Sequence, residues 1–195
     1  MRMLVVLIVL AAVVAGIVLL LRARARPASP PPLPAPVDPL RDGGTVADPR
    51  AIKVGDVVAW SGRDFIVRGT LELEEGGFRW HEHLLDDVEI KRWLTVEDDE
   101  DLELTLFQAV PAPELLPGPP SLEYDGVTWT RTEHGQAGFT AVGTTGTGPA
   151  GRVEYYDYAS GARRLAFERW GSGSWEVSVG EVIPPAALDL YPSSS

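Results

Sequence analysis

From Lys53 onward, polar and apolar positions alternate along the chain. Phe65, Val67, Gly69, Leu71 and Leu73 are interleaved with Arg68, Thr70, Glu72 and Glu74. A period of two sends the two sets to opposite faces, so this segment reads as a half-buried strand. Glu75-Gly76-Gly77 turns the chain, and Phe78 and Trp80 resume the alternation. Leu94 and Val96 lead into an acidic turn at residues 97–101, after which Leu102, Leu104 and Leu106 alternate with Glu103 and Thr105. Residues 111–121 (PAPELLPGPPS) interrupt the pattern. It resumes at Tyr124-Asp125-Gly126, then in segments 127–131, 153–158, 165–170 and 175–179, with a Gly/Thr loop at 144–151. No stretch beyond residue 50 carries a helical stripe. Turns recur about every 8–12 residues, as an antiparallel sandwich- or barrel-like β domain requires.

The two halves resemble each other. Ser61-Gly62 and Asp125-Gly126 each precede a long strand. Residues 79–85 (RWHEHLL) align with 154–160 (EYYDYAS), 91–94 (KRWL) with 168–171 (ERWG), and 102–106 (LELTL) with 175–179 (WEVSV). The shared order predicts two similar, packed β units, about 54–110 and 122–183, around a pseudo-two-fold.

The N-terminus follows other rules. Residues 3–21 (MLVVLIVLAAVVAGIVLLL) are nineteen without a charge, fourteen of them Leu, Val or Ile. As a helix rising about 1.5 Å per residue they span roughly 28 Å, near the thickness of a bilayer core. Ala23-Arg24-Ala25 matches a signal-peptidase site, but the apolar stretch is too long and its basic leader too weak for a cleaved signal. The expected organisation is therefore mainly β with one transmembrane helix. Residues 1–26 are the anchor, 27–50 a tether with eight prolines, 51–192 the soluble β domain and 193–195 a tail. Arg22, Arg24 and Arg26 against Arg2 place the domain on the cytoplasmic side by the positive-inside rule. The tether reads as a polyproline II spacer, with a PxxP ligand as the alternative.

Charge narrows the function. The chain has a formal charge of −11, and residues 51–195 hold 11 bases against 25 acids, or −14. That field repels phosphate backbones, so nucleic acid is not an expected partner. It repels an anionic leaflet too, which gives a spacer a purpose. With no cysteine, disulfides, thiolate catalysis and thiolate metal sites are excluded.

Val54-Gly55-Asp56, Gly69, Trp80-x-Glu82 with Leu84, Trp93, Tyr124-x-Gly126, the 155–158 segment and Glu168-x-Trp170 resemble the bacterial family catalogued as domain of unknown function 4178. The likeness covers about residues 52–185. It implies no established reaction and no catalytic residues. Members tend to be encoded near small membrane proteins, phage-shock-type proteins and an aminopropyltransferase-like protein. This implies an envelope or membrane-stress setting, with polyamines as one candidate cation.

Among candidate chemistries, His81 and His83 share a strand face and His134 is a remote third imidazole, but a structural zinc site wants a fourth ligand. Exposed or packed histidines are the expectation, with no metal and no cofactor. Residues 97–101 lack calcium-loop spacing and read as a solvated hairpin tip. Glu82 and Glu168 lie among aromatics; burial would make either an acid or base, whereas the plainer expectation pairs each with an arginine such as Arg79, Arg92 or Arg169. The six tryptophans are mostly core. Acids beside aromatics suggest a site for a cationic small molecule or the basic segment of a protein partner, formed by Trp80, Glu82, Tyr156, Glu168 and Trp170. The leading expectation is thus a membrane-anchored, non-enzymatic interaction or sensing module. The alternative is an enzyme with a carboxylate site between the β units. A concave pocket with convergent acids favours the enzyme, and a flat aromatic patch or open sheet edge favours a partner module.

Overall fold

The computed structural model describes residues 48–193. The expected anchor at 3–21 and nearly all of the tether lie outside the described residues. Among those described, no helix is long and apolar enough to cross a membrane.

Eleven antiparallel strands follow in order: β1 (Val57–Trp60), β2 (Arg63–Glu75), β3 (Phe78–Asp86), β4 (Lys91–Asp98), β5 (Leu102–Ala109), β6 (Ser121–Tyr124), β7 (Val127–Gly143), β8 (Ala150–Ser160), β9 (Arg163–Trp170), β10 (Glu176–Ile183) and β11 (Asp189–Tyr191). Eight of them, β2-β3-β4-β5-β10-β9-β8-β7, close into a barrel through the β2–β7 pairing. The β domain is therefore a barrel, and its two halves share hydrogen bonds at two seams, β2–β7 and β5–β10.

The closure depends on the two long strands. The first half of β2 pairs with β1 (Val57↔Ile66, Trp60↔Arg63); past a bulge between Val67 and Gly69, its second half pairs with β7. Likewise β7 pairs first with β6, carries a bulge between Arg131 and Glu133, and then crosses to β2. A bulge adds one residue and bends the strand, so each strand leaves one partner for another. Each is entered through a two-residue turn with both φ positive: Ser61 (52°) and Gly62 (76°), Asp125 (51°) and Gly126 (69°). Such turns match the twist of the strands they join.

Outward residues of each half are covered in the same way. Leu85, Leu94, Val96, Leu104 and Leu106 are buried under Val58, Phe65 and Leu188 from the β1, β2 and β11 side. In the second half, Tyr158, Leu165, Phe167 and Val177 pack with Trp129, Leu122 and Leu115. A fully buried large apolar side chain contributes about 1.5–3 kcal/mol, so these layers carry much of the stability. The proline-rich 111–121 segment is held to this second layer. The Tyr158 hydroxyl accepts from Gly118 N and donates to Pro119 O, both at 3.0 Å.

The register corrects part of the predicted repeat. Glu82 pairs with Thr95 and Thr95 with Thr105, while Asp157 pairs with Ala166 and Ala166 with Ser178. With residues 79–85 over 154–160, this sets 102–106 over 175–179 as expected, but sets 91–94 over 162–165 rather than 168–171. The Arg-Trp likeness misled because Trp93 and Trp170 stand at different heights on their strands.

Candidate functional site

An eight-stranded barrel either fills its interior with side chains or holds one small ligand. Here the interior is filled only along the β2–β7 seam, by Leu71, Leu73, Ala137, Phe139, Val153 and Tyr155. The rest is a cavity of about 650 Å³, within the roughly 300–1,000 Å³ usual for small-molecule sites.

Strand alternation decides which side chains face it. Trp80 and Glu82 point in from β3, Trp93, Thr95 and Glu97 from β4, and Glu103 and Phe107 from β5. From the other half come Tyr155 and Asp157 of β8, Arg164 and Glu168 of β9, and Glu133 of β7. Two glycines make room. A Cβ at Gly180 would stand 2.6 Å from the Phe107 ring, and one at Gly135 would stand 2.5 Å from the Glu75 carboxylate.

Eight carboxylates line the lumen against one guanidinium, that of Arg164, which is engaged at 3.1 Å by Glu103 Oε1. Glu97, Asp99 and Glu133 are exposed at the lumen's mouth, whereas Glu82 is buried, and it is the deepest charges that burial and close neighbours disfavour. Burial first, and then the surrounding charges, push Asp157 up to about 8. Burial likewise raises Glu82 to about 7, although Trp80 Nε1 donates to its Oε1 at 3.3 Å. Glu168, enclosed by the wall but facing the open lumen, is raised well above the carboxylate range by burial and by Glu82, with which it shares a hydrogen bond. Glu97 stands more exposed at the rim and is raised by partial burial and by Glu103 and Glu133. The Tyr155 hydroxyl donates to Glu75 Oε2 at 2.5 Å and lies 3.2 Å from Glu133 Oε1. Burial and these carboxylates raise it above its ordinary value.

Of the five residues read from the sequence, Trp80, Glu82 and Glu168 meet in this lumen. Tyr156 faces outward, stacked on His134 at 5.3 Å and edge-on to Trp175 at 5.6 Å. Trp170 packs edge-on against Phe139 at 5.0 Å and belongs to the seam core. The expected arginine pairs do not form with Glu82 or Glu168. Arg79 pairs with Glu72 at 3.7 Å, and Arg169 pairs with Glu154 and lies over Trp175. Arg92 donates to the Lys91 carbonyl. The reason is parity: residues 79, 92 and 169 are on the outer face, whereas 82 and 168 are on the inner one.

Sequence reasoning passed over Tyr155, Asp157, Glu97, Trp93 and Arg164 as lumen residues. The signal was present in the repeat, because laying 79–85 over 154–160 places Asp157 at Glu82 and Tyr155 at Trp80. His81 and His83 do share a face, their rings stacked at 6.1 Å, while His134 stands in the other half against Tyr156. His83 is buried, with Nδ1 at 2.9 Å from Thr70 Oγ1. Among the described residues no group of three or more His, Asp or Glu is placed to hold a metal ion.

Similarity to known proteins agrees with the fold boundaries. Uncharacterized proteins of Mycobacterium tuberculosis and Mycobacterium bovis are each 38% identical over 199 residues, covering 97% of this chain and 96% of the relative. No solved structure matches the chain. The model of a family described as a domain of unknown function, DUF4178, matches residues 53–185, from the entry to β1 through the end of β10. The chain belongs to the DUF4178 family.

Proposed function

We propose that this domain is a binding module whose barrel lumen receives an organic cation. One observation carries the reading: a cavity of about 650 Å³ presents eight carboxylates and a single, already engaged guanidinium. A cation supplies the countercharge that protons otherwise supply. Aromatic faces from Trp80, Trp93 and Tyr155 add cation–π attraction, each contact giving about 0.5–2 kcal/mol depending on desolvation. The free sheet edges fit a protein partner less well. β6 and β11 have four and three residues, and short, charge-bearing edges discourage strand addition.

The module is proposed to sit at the cytoplasmic face of the membrane, held by a helix at 3–21. This part of the reading is supported by sequence alone. A sensing role in an envelope or membrane-stress system is the setting proposed for it.

A second reading has its own support. Convergent acids in a concave pocket are what an enzyme would show, and Glu82, raised to about 7, forms a carboxyl pair with Glu168, which burial also raises, an arrangement suited to general acid–base work. Binding is favoured because the one guanidinium of the lumen wall is not free to meet a developing oxyanion: Arg164 is tied to Glu103, and the Trp80 N–H to Glu82.

Calorimetric titration of spermidine tests the reading. Saturable binding should persist at about 0.5 M salt, where screening removes attraction to an exposed surface, and it should be lost in Glu168→Gln or Trp80→Ala. Binding that disappears with salt, or survives both substitutions in folded protein, would reduce the site to an acidic surface.

A further inference from the structure

We infer that the lumen is a two-seat site for a linear dication, with one ammonium between Glu82 and Glu168 and the other between Glu97 and Asp157. The inference rests on the cation-binding reading and adds the number and placement of charges.

The repeat relates the four acids to one another. Its register makes Glu82 equivalent to Asp157 and Glu97 equivalent to Glu168. Each seat therefore takes one carboxylate from each half of the barrel. Glu82 of β3 meets Glu168 of β9. The pseudo-two-fold generates the counterpart: Asp157 of β8 has Glu97 of β4 as its strongest charged neighbour. Trp80 and Tyr155, also equivalent, meet edge-on at 5.9 Å between the halves and offer both seats an aromatic flank.

Two further observations separate this from a mere cluster of acids. All four carboxylates line one cavity with aromatic walls, Glu97 at its rim. Asp157 is deep in the wall and aimed into the lumen, and it accepts no side-chain hydrogen bond among the described residues; only burial and neighbouring charges act on it. Open to the lumen and without a protein donor, its carboxylate is left for water or a ligand to satisfy.

Spacing sets the ligand. Glu82 lies opposite Thr95, so Glu97 is its diagonal neighbour on β4; Asp157 and Glu168 stand in the same relation on β8 and β9. Diagonal neighbours on adjacent antiparallel strands are roughly 7–8 Å apart. A chain of about four or five carbons, with bonds near 1.5 Å, joins two ammonium groups over that span. The class is therefore an aliphatic α,ω-diamine or a longer amine containing that unit.

The test compares 1,5-diaminopentane with pentylamine, which has the same chain and one charge, by titration of the full-length protein in mild detergent at about 0.5 M salt. The diamine should bind at least tenfold more tightly. Asp157→Asn should weaken the diamine at least tenfold and pentylamine less than threefold. Asp157→Asn keeps the size of the side chain and cannot ionise in a crowded set of acids, so the fold is not put at risk, and a circular dichroism spectrum confirms it. Equal affinities for the two amines, or equal losses in Asp157→Asn, overturn the two-seat inference and leave a one-seat cation site. No saturable binding of either amine overturns the cation-binding reading as well.

Discussion

Replacing Asp157 by Asn should flatten a loss of stability that the native protein shows on the alkaline side of neutrality. Asp157 has an ordinary pKa of 3.8 and is raised to about 8 in the barrel. Its contribution is fully present below the unfolded value. Above that, the folded chain holds a proton that the unfolded chain has released, so stability falls as pH rises through the folded value. Between pH 7 and 9 the loss from Asp157 alone is on the order of 1 kcal/mol, and Glu82, raised to about 7, and Glu168, raised in the same direction, add to it. His83 has the opposite sense. Burial lowers it to about 4, so it is neutral in the fold and costs stability only as pH falls below its unfolded value near 6.5. Starting at pH 7 keeps that limb out of the window. Urea denaturation at pH 7, 8 and 9, followed by tryptophan fluorescence, gives the free energies. Native protein should lose on the order of 1–2 kcal/mol across the window, and Asp157→Asn about 1 kcal/mol less. A native stability that is flat or rises with pH, or an unchanged slope in the variant, would refute the crowded-carboxylate account of the lumen.

Other predictions concern the frame around the lumen. Gly143→Ala should destabilise the barrel by more than about 2 kcal/mol, because φ is +76° and a Cβ would stand 2.5 Å from the Arg68 carbonyl oxygen at the β2–β7 seam. Gly77→Ala, also at positive φ but with nothing within 4 Å, should cost only about 1 kcal/mol by the same denaturation. Asp56 accepts from the amides of Lys53 and Ser193, both at 2.8 Å. Asp56→Ala should cost about 2–3 kcal/mol and speed hydrogen exchange at Ser193 more than at β4. Full-length protein should stay in the membrane fraction after an alkaline carbonate wash, and a reporter fused at Ser195 should be active only in the cytoplasm; release by the wash would remove the anchor.

Strand positions were legible where alternation was strict. Residues 65–73 and 102–106 declared both their strands and their faces, and the acidic 97–101 segment declared its turn. β7 was harder. Beyond Arg131 it runs through Glu133-His134-Gly135-Gln136, whose polarity and glycine look like a loop, yet Glu133 faces the lumen and Gly135 leaves space for Glu75. Hydrophobicity cannot announce a strand whose inner face lines a wet, acidic cavity. The short strands β1, β6 and β11 hold too few residues for a period to show. In the site, Glu82 and Glu168 stood out because they sit among aromatics, but closure depends on pairing between residues far apart in the chain, such as Leu71↔Ala141. Parity, by contrast, was available throughout. Arg79 and Glu82 are three apart on one strand, and Arg169 directly follows Glu168, so neither arginine shares a face with its presumed carboxylate. The same rule assigns Tyr155, not Tyr156, to the face of Asp157.

On the proposed reading, a cation takes the place of protons in the lumen. Proton release on binding tests it most directly. When 1,5-diaminopentane is titrated into weakly buffered full-length protein at pH 7 and about 0.5 M salt, the solution should acidify in step with saturation. At least one proton should leave per ligand bound, because Asp157 and Glu82, raised to about 8 and about 7, ionise as the ammonium groups arrive. Saturable binding with no proton released would place the cation outside the lumen and contradict the account.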